Sequence, residues 1–193
     1  MTFVVATFNR DKMAELAALI ARPEIRLRGL QEFPGVEAPR EDGETLAANA
    51  LIKARAARVA TGLPSIADDT GLEVAALGGA PGVHTARFAG PDAKYADNVR
   101  KLLAELDGVA DRRARFITVA LALFPDGREV MATGVVDGTI ATEPRGLGGF
   151  GYDPVFVADE GDGRTFAEMG PEKHDISHRG RAFRELAEKL TTL

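Results

Sequence analysis

The stretch that decides the fold is Arg115–Ile140, RFITVALALFPDGREVMATGVVDGTI. Arg115–Phe124 is the clearest strand in the chain, and Pro125-Asp126-Gly127 turns it back into Glu129–Ile140 as a hairpin. Upstream, strands alternate with helices. Thr2–Ala6 reads as a short buried strand, and Asn9 can cap a helix that starts near Arg10. Met13, Leu16, Leu19 and Ile20 recur at helical spacing until Arg22-Pro23 ends the pattern. Ile25–Leu30 is a second strand, and the polar, Pro-rich stretch Gln31–Glu44 is a surface loop. Thr45–Thr61 is an Ala-rich helix closed by Gly62 and Pro64. A short strand, Ser65–Ala67, leads into Asp68-Asp69-Thr70-Gly71, with Leu72–Leu77 beyond it. After a Gly/Pro-punctuated loop, Tyr95, Val99, Leu102, Leu103 and Leu106 mark an amphipathic helix. Downstream of the hairpin come a glycine-rich loop, a short strand at Val155–Val157, and a last helix bearing Phe183, Leu186, Ala187 and Leu190. Alternating elements followed by a hairpin predict an α/β fold with a mixed sheet. No repeat or linker interrupts it, so residues 1–193 are expected to form one domain.

Composition narrows the chemistry. Hydrophobic residues make up 45% and charged residues 27%, which excludes a disordered chain. The absence of Cys excludes disulfides, a thiol nucleophile and Cys-ligated metals. A formal charge of 24 − 29 = −5 argues against a nucleic-acid-binding surface but allows a small polyanion in a local pocket. No apolar run approaches the roughly 20 residues that span a membrane. The N-terminus does not read as a secretion signal, so a cytoplasmic, membrane-free protein is expected.

Four constellations carry possible chemistry. Thr7-Phe8-Asn9-Arg10-Asp11-Lys12 joins a strand to a helix N-terminus, where free N–H groups and Lys12 favour phosphate; a capped helix with a solvated lysine is the alternative. Asp68 and Asp69 at a strand end repel each other unless a cation or donors offset them. That fits a Mg²⁺ site of hard oxygen ligands, or simply two solvated acids. Glu41, Asp42 and Glu44 precede the Ala-rich helix, on which Thr45, Asn49 and Lys53 form a polar line at i, i+4 and i+8. In Gly146–Pro154, Phe150 flanked by glycines can stack on a base, or the segment is a flexible loop. Ser177 is a good cap that places His178 and Arg179 in a first helical turn; a cation there opposes the helix dipole and calls for an anionic or carbonyl-bearing partner.

Taken in order, these motifs resemble the inosine/xanthosine triphosphate pyrophosphatases. The matching segments are ATxNxxK (Ala6–Lys12), ETLxxNAxxKA (Glu44–Ala54), ADDTGLEV (Ala67–Val74), LGGAPGVxxARFAG (Leu77–Gly90) and GGFGYDPVF (Gly148–Phe156), with the tail from Thr165 to Gly180. The resemblance implies an elongated two-lobed fold with a long mixed sheet flanked by helices, the active site in the cleft between the lobes, and a homodimer. It implies Mg²⁺-dependent hydrolysis of dITP, ITP and XTP to monophosphate and pyrophosphate, cleansing the nucleotide pool of deaminated purines. Asp69 would be the catalytic base and a metal ligand with Glu41 and Asp68. Thr7, Phe8, Asn9, Arg10, Asp11 and Lys12 would hold the triphosphate, Thr70 would touch substrate, and Lys53 and Lys173 would neutralise phosphate. Phe150, Gly151, Tyr152 and Asp153 would form the base pocket with His178 and Arg179. One departure is Ala48, where relatives commonly carry an acid.

Two other classes compete. A phosphatase working through an aspartyl phosphate needs a DxDxT-like motif, which Asp68-Asp69-Thr70 does not match. A non-catalytic nucleotide sensor would bind through the same pocket without turnover.

Overall fold

The computed structural model describes residues 1–20 and 22–192; Ala21 and Leu193, which the expected domain 1–193 includes, lie outside the described residues. In chain order the elements are β1 (Thr2–Val5), α1 (Arg10–Leu19), β2 (Arg26–Gly29), α2 (Leu46–Thr61), β3 (Ser65–Val74) and β4 (Pro81–Gly82). They continue with α3 (Tyr95–Glu105), β5 (Arg113–Leu123), β6 (Glu129–Ile140), β7 (Phe156–Ala158), α4 (Phe166–Met169), α5 (Lys173–Ile176) and α6 (His178–Thr191). The sheet order is β2-β1-β3-β5-β6-β7, with β4 pairing β3. It is mixed, as expected: β1 runs parallel to β2 and β3, whereas β3–β4 and β6–β7 are antiparallel. Among the described residues no helix is long and apolar enough to cross a membrane.

Local chemistry explains the helix limits. The Asn9 side chain accepts from the N–H groups of Asp11 and Lys12 at 2.9 and 3.2 Å, which starts α1. Thr45 does the same for α2 by accepting from Ala48 at 3.1 Å. Gly62, at φ 68°, ends α2 in a left-handed conformation that costs a residue without Cβ little. One expectation changes shape. Ser65–Val74 is a single ten-residue strand, so Asp68 and Asp69 lie within it and not at its end. Eight of its residues are buried, the two acids among them.

The chain divides into two compact units, each assembled from separated segments. The first comprises Met1–Asp69, Thr118–Gly134 and the segment from Arg179 onward; the second comprises Thr70–Ile117 and Val135–His178. Within the first unit, strand alternation sorts side chains into two layers. Phe3, Val5, Ile66, Ala120 and Ala122 pack with Leu16 and Ile20 near α1 and with Ala182, Phe183 and Leu186 of α6. Their neighbours Val4, Ala6, Ala67, Val119, Leu121 and Leu123 pack with Ala50, Ala54 and Ala57 of α2. The sheet is therefore covered by α1 and α6 on one face and by α2 on the other. The small alanines let α2 lie close to the strands, and Ser65 Oγ reaches the Ala54 carbonyl at 2.7 Å. The second unit has its own core, in which Phe116, Phe156 and Phe166 pack with Leu102, Leu106, Val136 and Tyr152.

Leu16 has no exposed surface in the α1–α6 layer. Leu16→Ala is expected to cost about 2–5 kcal/mol, measured as a lower urea midpoint at unchanged m-value.

Candidate active site

The alternation that sorts the core also separates the two aspartates. Asp68 has the parity of Ile66 and faces the α1–α6 side; Asp69 has the parity of Ala67 and faces α2. Both are buried, at 4% and 8% exposure, so each carboxylate needs partners on its own face.

On the first face, Asp68 Oδ2 takes Lys12 Nζ at 3.2 Å and Arg179 Nε at 3.4 Å. Arg179 Nη1 also meets Glu15 Oε2 at 2.8 Å. Burial alone would raise the Asp68 carboxyl, but Lys12 and Arg179 outweigh it and hold the group well below the usual carboxylate range. Burial also dominates at Lys12, which is held below an ordinary lysine although Asp68 pulls the other way. The capping Asn9 and Thr7, whose Oγ1 accepts from Asn9 N at 3.1 Å, fix the backbone leading into α1. Phe8, Arg10 and Asp11 are exposed on that segment.

On the second face, α2 presents Asn49 and Lys53. Lys53 Nζ lies 2.7 Å from Asp69 Oδ1 and 3.1 Å from Glu41 Oε2, and Asn49 Nδ2 donates to Asp69 Oδ2 at 3.2 Å. Burial raises the Asp69 carboxyl, an effect that Lys53 only partly offsets. At Lys53 burial is likewise the largest influence, yet Asp69, Asp68 and Glu41 together hold the ammonium above its ordinary value. Glu41, Asp42 and Glu44 precede α2 and do not belong to its first turn.

In the second unit the glycine-rich loop is braced by one carboxylate. Asp153 Oδ2 accepts from Phe150 N and from Lys173 Nζ, both at 2.9 Å. A Cβ on Gly149, which has φ 68°, would lie 2.0 Å from that same oxygen, so only glycine fits there. The Lys173 ammonium also stands 5.5 Å over the Phe150 ring, whose centroid is 5.8 Å from that of Tyr95. The buried Tyr152 hydroxyl donates to the Thr85 carbonyl at 3.0 Å. His178 stacks on Phe116 with centroids 4.4 Å apart.

The expected residues thus gather in three groups. Glu41, Asp69 and Lys53 come together; Asp68, Lys12 and Arg179 come together; Phe150, Asp153 and Lys173 come together, with Gly151 and Tyr152 on the same loop. Thr70 follows Asp69 on β3, half-buried. The structure pairs Arg179 with carboxylates of the first unit, which answers the need for an anion at that helix start. Lys173 is held by Asp153, both side chains 6% exposed. Sequence reasoning missed Glu15 and Phe116. Nothing local marks Glu15, since its partner is 164 residues away.

A buried array of acids and ammonium groups on both faces of a mixed sheet defines an α/β protein built to handle charge, and perturbed groups of this kind cluster at functional sites. A sequence profile of the Ham1 family matches residues 3–189, and the chain belongs to that family. A relative from Syntrophobacter fumaroxidans, described as a dITP/XTP pyrophosphatase, is 49% identical over 184 residues, covering 95% of this chain and 79% of its own. One of the same description from Mycolicibacterium paratuberculosis is 49% identical over 195 residues, covering 98% and 96%. The solved structure of a HAM1 protein from Coxiella burnetii superimposes with a TM-score of 0.90 at 42% identity, covering 100% of both chains. The Ham1 protein of Staphylococcus aureus gives 0.87 at 36% identity, covering 100% and 99%. These likenesses bear out the family and the α/β fold expected from the motifs.

The Asp68 cluster carries a pH signature. Its folded-state pKa lies below the unfolded value of about 3.9, so the cluster stabilises the fold above that pH, and the contribution is lost as pH falls through the folded value. Acid unfolding followed by circular dichroism is expected to show stability declining below about pH 4, and Asp68→Asn is expected to flatten that decline.

Proposed function

We propose that the chain hydrolyses deaminated purine nucleoside triphosphates (dITP, ITP and XTP) between the α and β phosphates, releasing the monophosphate and pyrophosphate in a Mg²⁺-dependent reaction. The observation that carries this reading is the Lys53 ammonium, which meets Glu41 at 3.1 Å and Asp69 at 2.7 Å. Two hard oxygen donors from separate segments thereby share one cation position. Mg²⁺ commonly takes one or two carboxylates, with substrate phosphate and water filling the rest, so this pair fits it. Among the described residues no group of three or more His, Asp or Glu side chains surrounds one point. Glu41 and Asp69 are therefore the ligands proposed; Asp68, expected as a third, faces the other side of β3, where Lys12 and Arg179 hold it. A bound Mg²⁺ would offset phosphate charge and make water easier to deprotonate.

The protein's own groups do the rest. Asp69 is the proton acceptor proposed, held in place by Lys53 and Asn49. Water attacks the α phosphorus and gives its proton to the Asp69 carboxylate. The bond to the bridging oxygen breaks, and pyrophosphate leaves with the electron pair. No covalent enzyme intermediate is needed. Lys12, Lys53 and the N–H groups at the start of α1 neutralise the triphosphate.

Base selection is assigned to the Phe150 loop, with Phe150 offering a ring to stack and His178 and the backbone N–H groups of Gly151 and Tyr152 offering donors. Inosine and xanthosine carry a carbonyl at the six position, where adenine carries an amino group. A buried donor left facing that amino group costs about 1–3 kcal/mol, which favours the deaminated bases. We further propose that the enzyme is a cytoplasmic homodimer; the family resemblance supports the dimer, and the reading of the sequence supports the location.

The test is product identification with dITP, XTP, dATP and dGTP. Monophosphate and pyrophosphate are expected from dITP and XTP, with activity abolished by EDTA and restored by Mg²⁺. Release of orthophosphate, or binding without turnover, would overturn the reading. Asp69→Asn is expected to lower kcat by at least about a thousandfold while circular dichroism stays unchanged.

A further inference from the structure

The loop that carries Glu41 has neither helix nor strand over residues 36–43, so something outside it must set its position. Asn49, 1% exposed, is placed to do so. Its Oδ1 accepts from Gly43 N at 2.8 Å while its Nδ2 donates to Asp69 Oδ2 at 3.2 Å. The amide can point only one way, because Gly43 N–H must donate and the Asp69 carboxylate must accept. One turn further along α2, Lys53 makes the parallel connection between Glu41 and Asp69. Loop and strand are thus joined twice through neighbouring side chains of one helix.

Gly43 completes the arrangement. A Cβ on it would lie 2.6 Å from Asn49 Oδ1 and 2.9 Å from Ala48 Cβ, so the loop reaches this hydrogen bond only because residue 43 has no side chain. The two connections also differ in kind. Lys53 is charged and is attracted by any polyanion that arrives, whereas the Asn49 amide is neutral and keeps its partners when charge is redistributed.

We propose that Asn49 and Gly43 form a neutral latch that holds the Glu41 loop against α2 and β3, so that Glu41 and Asp69 stay within reach of one cation. Asn49 is a positioning residue acting through Asp69 and the loop. The proposal rests on the reading that Glu41 and Asp69 share a divalent ion in pyrophosphate release.

The test compares Asn49→Ala and Gly43→Ala with Ser65→Ala, which removes a different hydrogen bond between β3 and α2. Amide hydrogen exchange at residues 41–44 is measured on metal-free protein. The Mg²⁺ concentration for half-maximal pyrophosphate release from dITP is measured separately. Both latch variants are expected to speed exchange at residue 43 at least about tenfold and to raise the half-saturating Mg²⁺ at least about fivefold, with KM for dITP at saturating Mg²⁺ within about twofold. Ser65→Ala is expected to lower the melting temperature while leaving exchange and Mg²⁺ requirement unchanged. Unchanged exchange in Asn49→Ala, unchanged Mg²⁺ requirement in both latch variants, or an equal shift in Ser65→Ala would overturn the latch. If Asn49→Ala does not fold, Gly43→Ala decides by the same criteria. Exchange is read without substrate, so a wild type that released a different product would sink the reaction assignment and leave the latch to be judged on exchange.

Discussion

Two adjacent aspartates buried in one strand must face opposite ways, and each must be compensated where it points. That constraint organises the first unit. Burying a carboxylate without partners is prohibitively costly, so cations have to come to both faces of β3. On one face α1 supplies Lys12 and α6 supplies Arg179; on the other α2 supplies Lys53 with Asn49 beside it. The same helices bury the apolar neighbours of the two acids, so the core and the charged cluster are built from the same elements.

The two faces acquire different electrostatic characters. Asp68 is shared by two cations and stays firmly ionised. Asp69 has one cation and one neutral donor, and burial prevails there. One aspartate therefore serves as a fixed anion that holds Lys12 and Arg179 in place, while burial holds its neighbour's carboxyl above the ordinary aspartate range.

In the second unit, Asp153 plays the organising part. It ties the Phe150 backbone and the Lys173 ammonium to one oxygen, and Gly149 leaves room for that oxygen. The backbone of the aromatic residue that stands among glycines is thus tied to a buried ion pair.

Much of this was legible in the chain. Asn9, Thr45, Gly62 and Ser177 mark helix boundaries because capping is decided by a few neighbouring atoms. The hairpin at 125–127 was readable for the same local reason, whereas the roles expected of Glu41, Lys53 and Asp69 came from the family resemblance. Even the opposite facing of Asp68 and Asp69 was written in the parity Ile66, Ala67, Asp68, Asp69, once the strand is read through both acids. What only the tertiary structure decided is which charge meets which: Glu15 with Arg179, Lys53 with both Glu41 and Asp69, Lys173 with Asp153. Those partners sit on different elements. Their meeting depends on sheet register and on the face each helix covers, and no short stretch of sequence carries that information.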